Sequence, residues 1–189
     1  MSLEYFKRRQ DKLKNKLAKE GIDGMLVTNL IHIRYLCGFT GSSATLLIMH
    51  DEIFFITDGR YIFQSENEVK GAQIIIDSIP HFEVIRNNKL LKDGSIISFD
   101  GNNVTHQNFQ NISNVLSNIT LKNITGMIEK MAMTKDEKEL EAIRTAVEIT
   151  DRAFSEVLPM VQIGVEEKTI ANKLSFLYRQ YGDSDSDAF

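Results

Sequence analysis

The chain has 189 residues, 42% hydrophobic and 25% charged, with a formal net charge of −4 at pH 7. That length can bury a core without staples and fits one domain, or one domain with part of another. The acidic balance lacks the basic stripe of a nucleic-acid binder, and no run approaches the roughly 18 apolar residues of a membrane span. A single cysteine, Cys37, excludes an internal disulfide and fits a reducing compartment. The charged N-terminus lacks the apolar stretch of a signal peptide, so a cytoplasmic protein with no nucleic-acid and no membrane partner is expected. On that reading the Asn-x-Ser/Thr triplets at Asn103, Asn111, Asn118 and Asn123 are chance features of an Asn-rich stretch.

Leu3, Phe6, Leu13 and Leu17 share one helical face, with Ser2 placed to cap and Gly21 to end an amphipathic helix. A buried strand is expected over residues 22–28, followed by a short helical turn over 30–36. Gly38 and Gly41 bracket a tight connection. The apolar runs 44–49 and 53–57, joined by His50-Asp51-Glu52, predict a hairpin. Asp58 can cap a helix over 60–70. A strand over 73–78 and an ambiguous, helix-leaning stretch over 82–91 come next. Then follow a strand over 95–100, a helix over 105–117 with Phe109, Ile112 and Leu116 on one face, and a strand over 119–124. Strands mixed with helices, one hairpin included, predict an α/β domain with a mixed sheet over residues 1–127.

After Met127 the pattern turns helical, in a segment 128–189. Leu140, Ile143, Val147, Thr150 and Phe154 recur at spacings of three and four, with Thr134 and Glu137 as an expected capping box and Pro159 as the stop. Gly164 marks a turn before a second helix over 165–181 that carries Ile170, Leu174 and Leu177. Two helices with one apolar stripe each need a surface to pack against, and no sheet follows them. The expectation is a chain that stops in mid-domain, and therefore an oligomer or a partly disordered last segment.

The search for chemistry is mostly negative. His32, His50, His81 and His106 form no H-E-x-x-H or His-x-His pair. His81 and Glu83, if extended, would share a face but are too few for a closed metal site. Asp183, Asp185 and Asp187 mimic the start of a calcium loop without its glycine or closing Glu, and read as a solvated acidic connector. The Gly38–Ser43 segment lacks the Gly-Lys-Ser/Thr ending of a phosphate loop and is not a nucleophile elbow; it reads as a sharp turn into a sheet. Cys37 has no His/Asn partner in sight and reads as a buried small hydrophobe. In Thr57-Asp58-Gly59-Arg60-Tyr61 a structural Asp58–Arg60 pair competes with a recognition corner near a ligand. No catalytic residue and no metal ligand is assigned to this chain.

The ordered motifs carry a resemblance. Residues 33–42, Ile-Arg-Tyr-Leu-Cys-Gly-Phe-Thr-Gly-Ser, resemble the N-x-R-Y-L-x-G-F-x-G-S segment of the creatinase/prolidase/aminopeptidase P family. Residues 57–61 resemble its T-D-x-R-Y corner, residues 135–144 its linker helix, and residues 164–167 the turn before its next helix. His32 stands where the family often carries Asn or another polar residue.

The resemblance implies a three-layer N-terminal domain followed by the first two helices of an incomplete pita-bread domain. In the full-length parent that second domain would hold two divalent metal ions of the Mn/Co/Zn class on two Asp, one His and two Glu, none of them in this chain. A metal-bridging hydroxide would attack the amide before proline. The resemblance also implies a homodimer acting on proline-containing peptides, with this domain giving dimer contacts and walling the active site. Tyr35, Phe39, Arg60 and Tyr61 are the expected substrate-lining residues. This chain alone would then be inactive. Alternatives are a stand-alone peptide- or protein-binding module of the same fold, or the N-domain of a creatinase- or ectoine-hydrolase-type C–N hydrolase.

Overall fold

The computed structural model describes residues 3–182, which fall into two compact units, Met1–Thr134 and Lys135–Phe189. The first unit is built in the order α1 (Leu3–Lys19), β1 (Gly24–Val27), α2 (Leu30–Cys37), β2 (Thr45–Met49) and β3 (Ile53–Thr57). A 3-10 turn (Gly59–Tyr61), α3 (Ile62–Glu68), β4 (Gln73–Ile76), α4 (His81–Asn87) and β5 (Ile96–Phe99) follow. The unit closes with α5 (His106–Val115), β6 (Thr120–Asn123) and α6 (Met127–Ala132).

The six strands form one mixed sheet in the order β4-β3-β2-β1-β5-β6. Strand β2 is antiparallel to both β1 and β3, whereas β1–β5, β5–β6 and β3–β4 are parallel. The other five strands therefore all run one way and end at the same edge. Side chains alternate between faces with the period of two that a pleat imposes. Met25, Val27, Leu46, Ile48 and Phe55 face a core shared with Leu13 and Leu17 of α1, Ile33 and Leu36 of α2, and Ile128 and Met131 of α6. Leu26, Leu47, Phe54, Ile56 and Ile97 face a second core with Val84 and Ile85 of α4 and Ile112 and Leu116 of α5. The result is a three-layer α/β unit. Helices on both faces explain why the central strands are apolar throughout. Each large side chain fully buried here contributes about 1.5–3 kcal/mol of transfer free energy.

Most element positions follow the sequence reading, with shifts that have causes. The ambiguous stretch is a helix, α4, so His81 and Glu83 are not on an extended segment. Asp58 caps the 3-10 turn, its Oδ1 accepting from the Arg60 N–H at 3.1 Å, and α3 starts after it. Helix α6 was not foreseen. Ile128 and Met131 of α6 are 0% and 1% exposed in the first core, and the first compact unit runs to Thr134.

The second unit is a helical pair, α7 (Glu137–Val157) and α8 (Glu167–Gly182). The capping box lies two residues beyond the expected one. Asp136 Oδ1 accepts from the Glu139 N–H at 3.0 Å and Glu139 Oε2 accepts from the Asp136 N–H at 3.0 Å, because Asp136 takes the extended Ncap conformation. The faces also differ from expectation. Ala153 and Val157 of α7 meet Leu177 of α8, flanked by Ile170, Leu174, Tyr178 and Tyr181. Ile143, Val147 and Phe154, expected as the packing stripe, are exposed at 45%, 52% and 55%. The expected Ser2 cap and the Asp183, Asp185 and Asp187 connector lie outside the described residues.

Candidate functional site

The edge where five strands end collects the polar residues. Asn29 follows β1, Asp58 follows β3, Asp77 follows β4, Asp100 follows β5 and Asn123 closes β6. Ligands of open α/β sheets bind at such carboxyl ends. Asn29, Asp58, Asp77 and Asp100 each also close their own loop, and Asn123 closes the loop after β5. Asn29 Oδ1 accepts from the Ile31 and His32 N–H groups at 2.8 and 3.2 Å and so starts α2. Asp77 Oδ1 accepts from the Ser78 N–H at 2.7 Å, and Asn123 Oδ1 from the Gly101 N–H at 2.9 Å.

One corner of this edge joins the 38–43 loop to the residues after β3. Helix α2 ends on Gly38, whose φ of +93° suits glycine and whose N–H donates to the Arg34 carbonyl at 2.9 Å. The loop is then held to α3, with the Thr40 N–H and hydroxyl donating to Glu68 at 2.7 and 2.8 Å. Burial pushes the Glu68 carboxyl up, but the Thr40 N–H, the Thr40 hydroxyl and the Gln64 amide outweigh it and the net shift is down. Gly41 lets two rings approach: a Cβ there would lie 2.3 Å from Phe39 Cζ and 2.7 Å from Tyr61 Cε1. The loop leads into β2, not into a helix, which is the geometry of a turn and not of a phosphate loop.

Tyr61 meets Phe39 edge-on, centroids 5.4 Å apart, and Phe39 meets Phe55 at 4.7 Å. The Tyr61 and Ser42 hydroxyls are hydrogen-bonded at 2.6 Å, and the Ser42 N–H donates to the Tyr61 oxygen at 3.3 Å. The Ser42 hydroxyl, then the Ser42 N–H, draw the phenol below its ordinary value near 10. Arg60 grips Asp58 with two bonds, Nε to Oδ1 at 2.8 Å and Nη2 to Oδ2 at 2.9 Å, while its guanidinium lies 5.2 Å from the Tyr61 ring centre. That pairing holds the Asp58 carboxyl well below the usual carboxylate range and pushes the Arg60 guanidinium up.

The four residues expected to line a substrate are thus placed differently. Arg60 and Tyr61 come together at the corner. Phe39 is 1% exposed and belongs to the core, where its ring meets that of Tyr61. The Tyr35 ring faces Arg9, whose guanidinium carbon is 4.3 Å from its centre and whose Nη1 donates to the Tyr35 carbonyl at 2.9 Å. Cys37 is buried and its thiol is pushed up to about 11 by burial, which suits packing and not nucleophilic attack.

Two associations escaped sequence reasoning. Thr45 Oγ1 and His81 Nδ1 are hydrogen-bonded at 2.9 Å across 36 residues, and burial lowers the His81 pKa. His32, Asp100 and Glu129 converge, with donor atoms within 4.8 Å of one another. Spacing could not reveal either, because the sheet topology makes both contacts. The available signal was an acid directly after a strand.

The family profile of the Creatinase/Prolidase N-terminal domain matches residues 9–134. The chain belongs to the creatinase/prolidase family. It is 33% identical to the uncharacterized peptidase YqhT of Bacillus subtilis, over 95% of this chain and 50% of that protein. It superposes on a Xaa-Pro dipeptidase from Bacillus anthracis with a TM-score of 0.86 and 25% identity, over 93% of this chain and 49% of that one. The N-terminal domain of cytoplasmic peptidase PepQ from Mycobacterium tuberculosis matches at 30% identity and a TM-score of 0.60, covering 65% of this chain and 97% of that one. The creatinase/prolidase chain described here spans about half the length of the curated relatives it matches. No helix among its described residues is long and apolar enough to cross a membrane.

Proposed function

We propose that this chain is the non-catalytic N-terminal portion of a metal-dependent, cytoplasmic Xaa-Pro dipeptidase or aminopeptidase P. The observation that carries the reading is the superposition, with a TM-score of 0.86, of 93% of this chain on half of a Xaa-Pro dipeptidase. In this reading residues 135–182 are the first helices of the catalytic domain. The unit before them gives contacts in a homodimer and walls the active site, with Arg60 and Tyr61, and Tyr35 beside α1, nearest to peptide. The two-ion centre of the full-length protein would take two Asp, one His and two Glu. Among the described residues, the single cluster with ligand spacing is the three-donor set His32, Asp100 and Glu129. Those residues do not fit that centre, and no step of hydrolysis is assigned to this chain.

The test is an assay of the 189-residue chain and of the full-length protein on Xaa-Pro dipeptides and longer Xaa-Pro peptides, with manganese supplied. Hydrolysis by the full-length protein and silence of the chain alone are expected. Cleavage by the chain alone, or full-length activity confined to C–N bonds outside Xaa-Pro peptides, would overturn the reading. Arg60→Ala and Tyr61→Phe in the full-length protein should raise KM for longer peptides several-fold with kcat little changed, as loss of ground-state contacts requires.

A further inference from the structure

We propose that His32, Asp100 and Glu129 form a single-ion site for a divalent metal of the zinc class, separate from the two-ion centre placed in the catalytic half. The three donors come from distant parts of the sequence: α2, the end of β5 and α6. Hydrogen bonds hold the Asp100 carboxylate and the starts of the helices that carry His32 and Glu129. Asn29 caps α2 through the His32 N–H, and its Nδ2 donates to Asn103 Oδ1 at 2.6 Å, which ties the start of α2 to the loop after Asp100. Asp100 Oδ1 accepts from the Asn102 N–H at 2.9 Å and Oδ2 from the Gly126 N–H at 3.3 Å. Gly126 is the residue from which α6 starts, three positions before Glu129. Backbone N–H groups orienting a carboxylate leave lone pairs for a cation and are the outer support that metal ligands use.

Charge and spacing favour a cation. Asp100 is 5% exposed, and among the described residues its side chain meets neutral N–H donors and no lysine or arginine. Glu129 brings a second carboxylate to the same point. His32, 7% exposed, lies with Nε2 at 3.3 Å from Glu129 Oε1. Bonds of about 2.0–2.2 Å in tetrahedral geometry put neighbouring donors about 3.3–3.6 Å apart. The His32–Glu129 pair already has that spacing. All three donors lie within 4.8 Å of one another, so binding an ion asks for an inward shift of no more than about 1 Å. A cavity of about 10 Å³ lined by His32, Asp100, Asn29 and Asn103, among others, adjoins the two buried donors. That is space for about one water, the fourth ligand of an open site. An imidazole in the set selects zinc-class ions over calcium or magnesium, which prefer oxygen. A bound ion would pin α2, the end of β5 and α6 to one another.

The test is isothermal titration of the EDTA-stripped 189-residue chain with zinc chloride, with a melting curve at each ratio. One ion per chain and a raised Tm are expected. His32→Gln and Glu129→Gln should each weaken binding more than tenfold. Glu129 is exposed, so its variant should keep the wild-type circular dichroism spectrum and remain interpretable if the His32 variant misfolds. Absence of binding would overturn the site and leave a direct His32–Glu129 contact in its place. Binding that survives in Glu129→Gln, or in a folded His32→Gln, would also overturn it and assign the ion to other carboxylates.

Discussion

Gly41 shows how a single hydrogen can shape the corner. Both rings that crowd it are fixed, Phe39 in the core and Tyr61 by its hydrogen bonds to Ser42. Gly41→Ala should therefore cost about 1–3 kcal/mol, the range of an overpacked site, read as a lowered urea midpoint with unchanged slope. His81 gives a pH signature. Burial lowers its folded pKa, so the folded chain binds fewer protons than the unfolded one near pH 6. The stability it confers is full above the unfolded value of about 6.5 and is lost as pH falls through the folded value. Thermal unfolding scanned from pH 7.5 to 5 should show this decline, and His81→Gln should flatten it. At this scale the sequence was only partly legible. The Asp58–Arg60 pair could be read from two residues of separation. The burial of Phe39 could not, because an aromatic beside two glycines suits a ligand corner and a core equally until the sheet is in place.

Among the elements, α7 depends on its first turn. Asp136 and Glu139 satisfy backbone N–H groups reciprocally, so Asp136→Ala should cost about 1 kcal/mol locally. Faster hydrogen exchange in the first turns of α7, with exchange in β1 and β2 unchanged, is the expected readout. The box expected at Thr134 and Glu137 gives way to Asp136 and Glu139, because Asp136 takes the extended Ncap conformation. Helix α6 was not foreseen either. Six residues are too few to show a period, so its helical state rests on Ile128 and Met131 entering the core. By contrast the hairpin β2–β3 and the helix α1 were plain in the sequence, since alternation and a stripe both extend over their whole lengths.

For the whole molecule, the first unit carries two cores of its own, and a chain made of an N-terminal domain alone matches its fold. Residues 1–134 should fold independently, giving a cooperative melt and a dispersed amide NMR spectrum. The helical pair should behave differently. Ile143 and Val147 lie four residues apart on an exposed face of α7, with Phe154 seven further on. Ile143→Lys with Val147→Lys should reduce concentration-dependent association of the 189-residue chain in sedimentation velocity, without loss of helicity.

The polar residues at the strand ends have a consequence for how the domain can vary. The loops after β1, β3, β4 and β5 are each closed by an Asn or Asp that bonds nearby N–H groups, so their shape is set locally and the sheet below is not asked to hold it. A loop closed on itself can change length at small entropic cost. Descendants of this chain could therefore lengthen or shorten the rim between Ile76 and His81, remodelling what passes over it, while β3 and β4 keep their register.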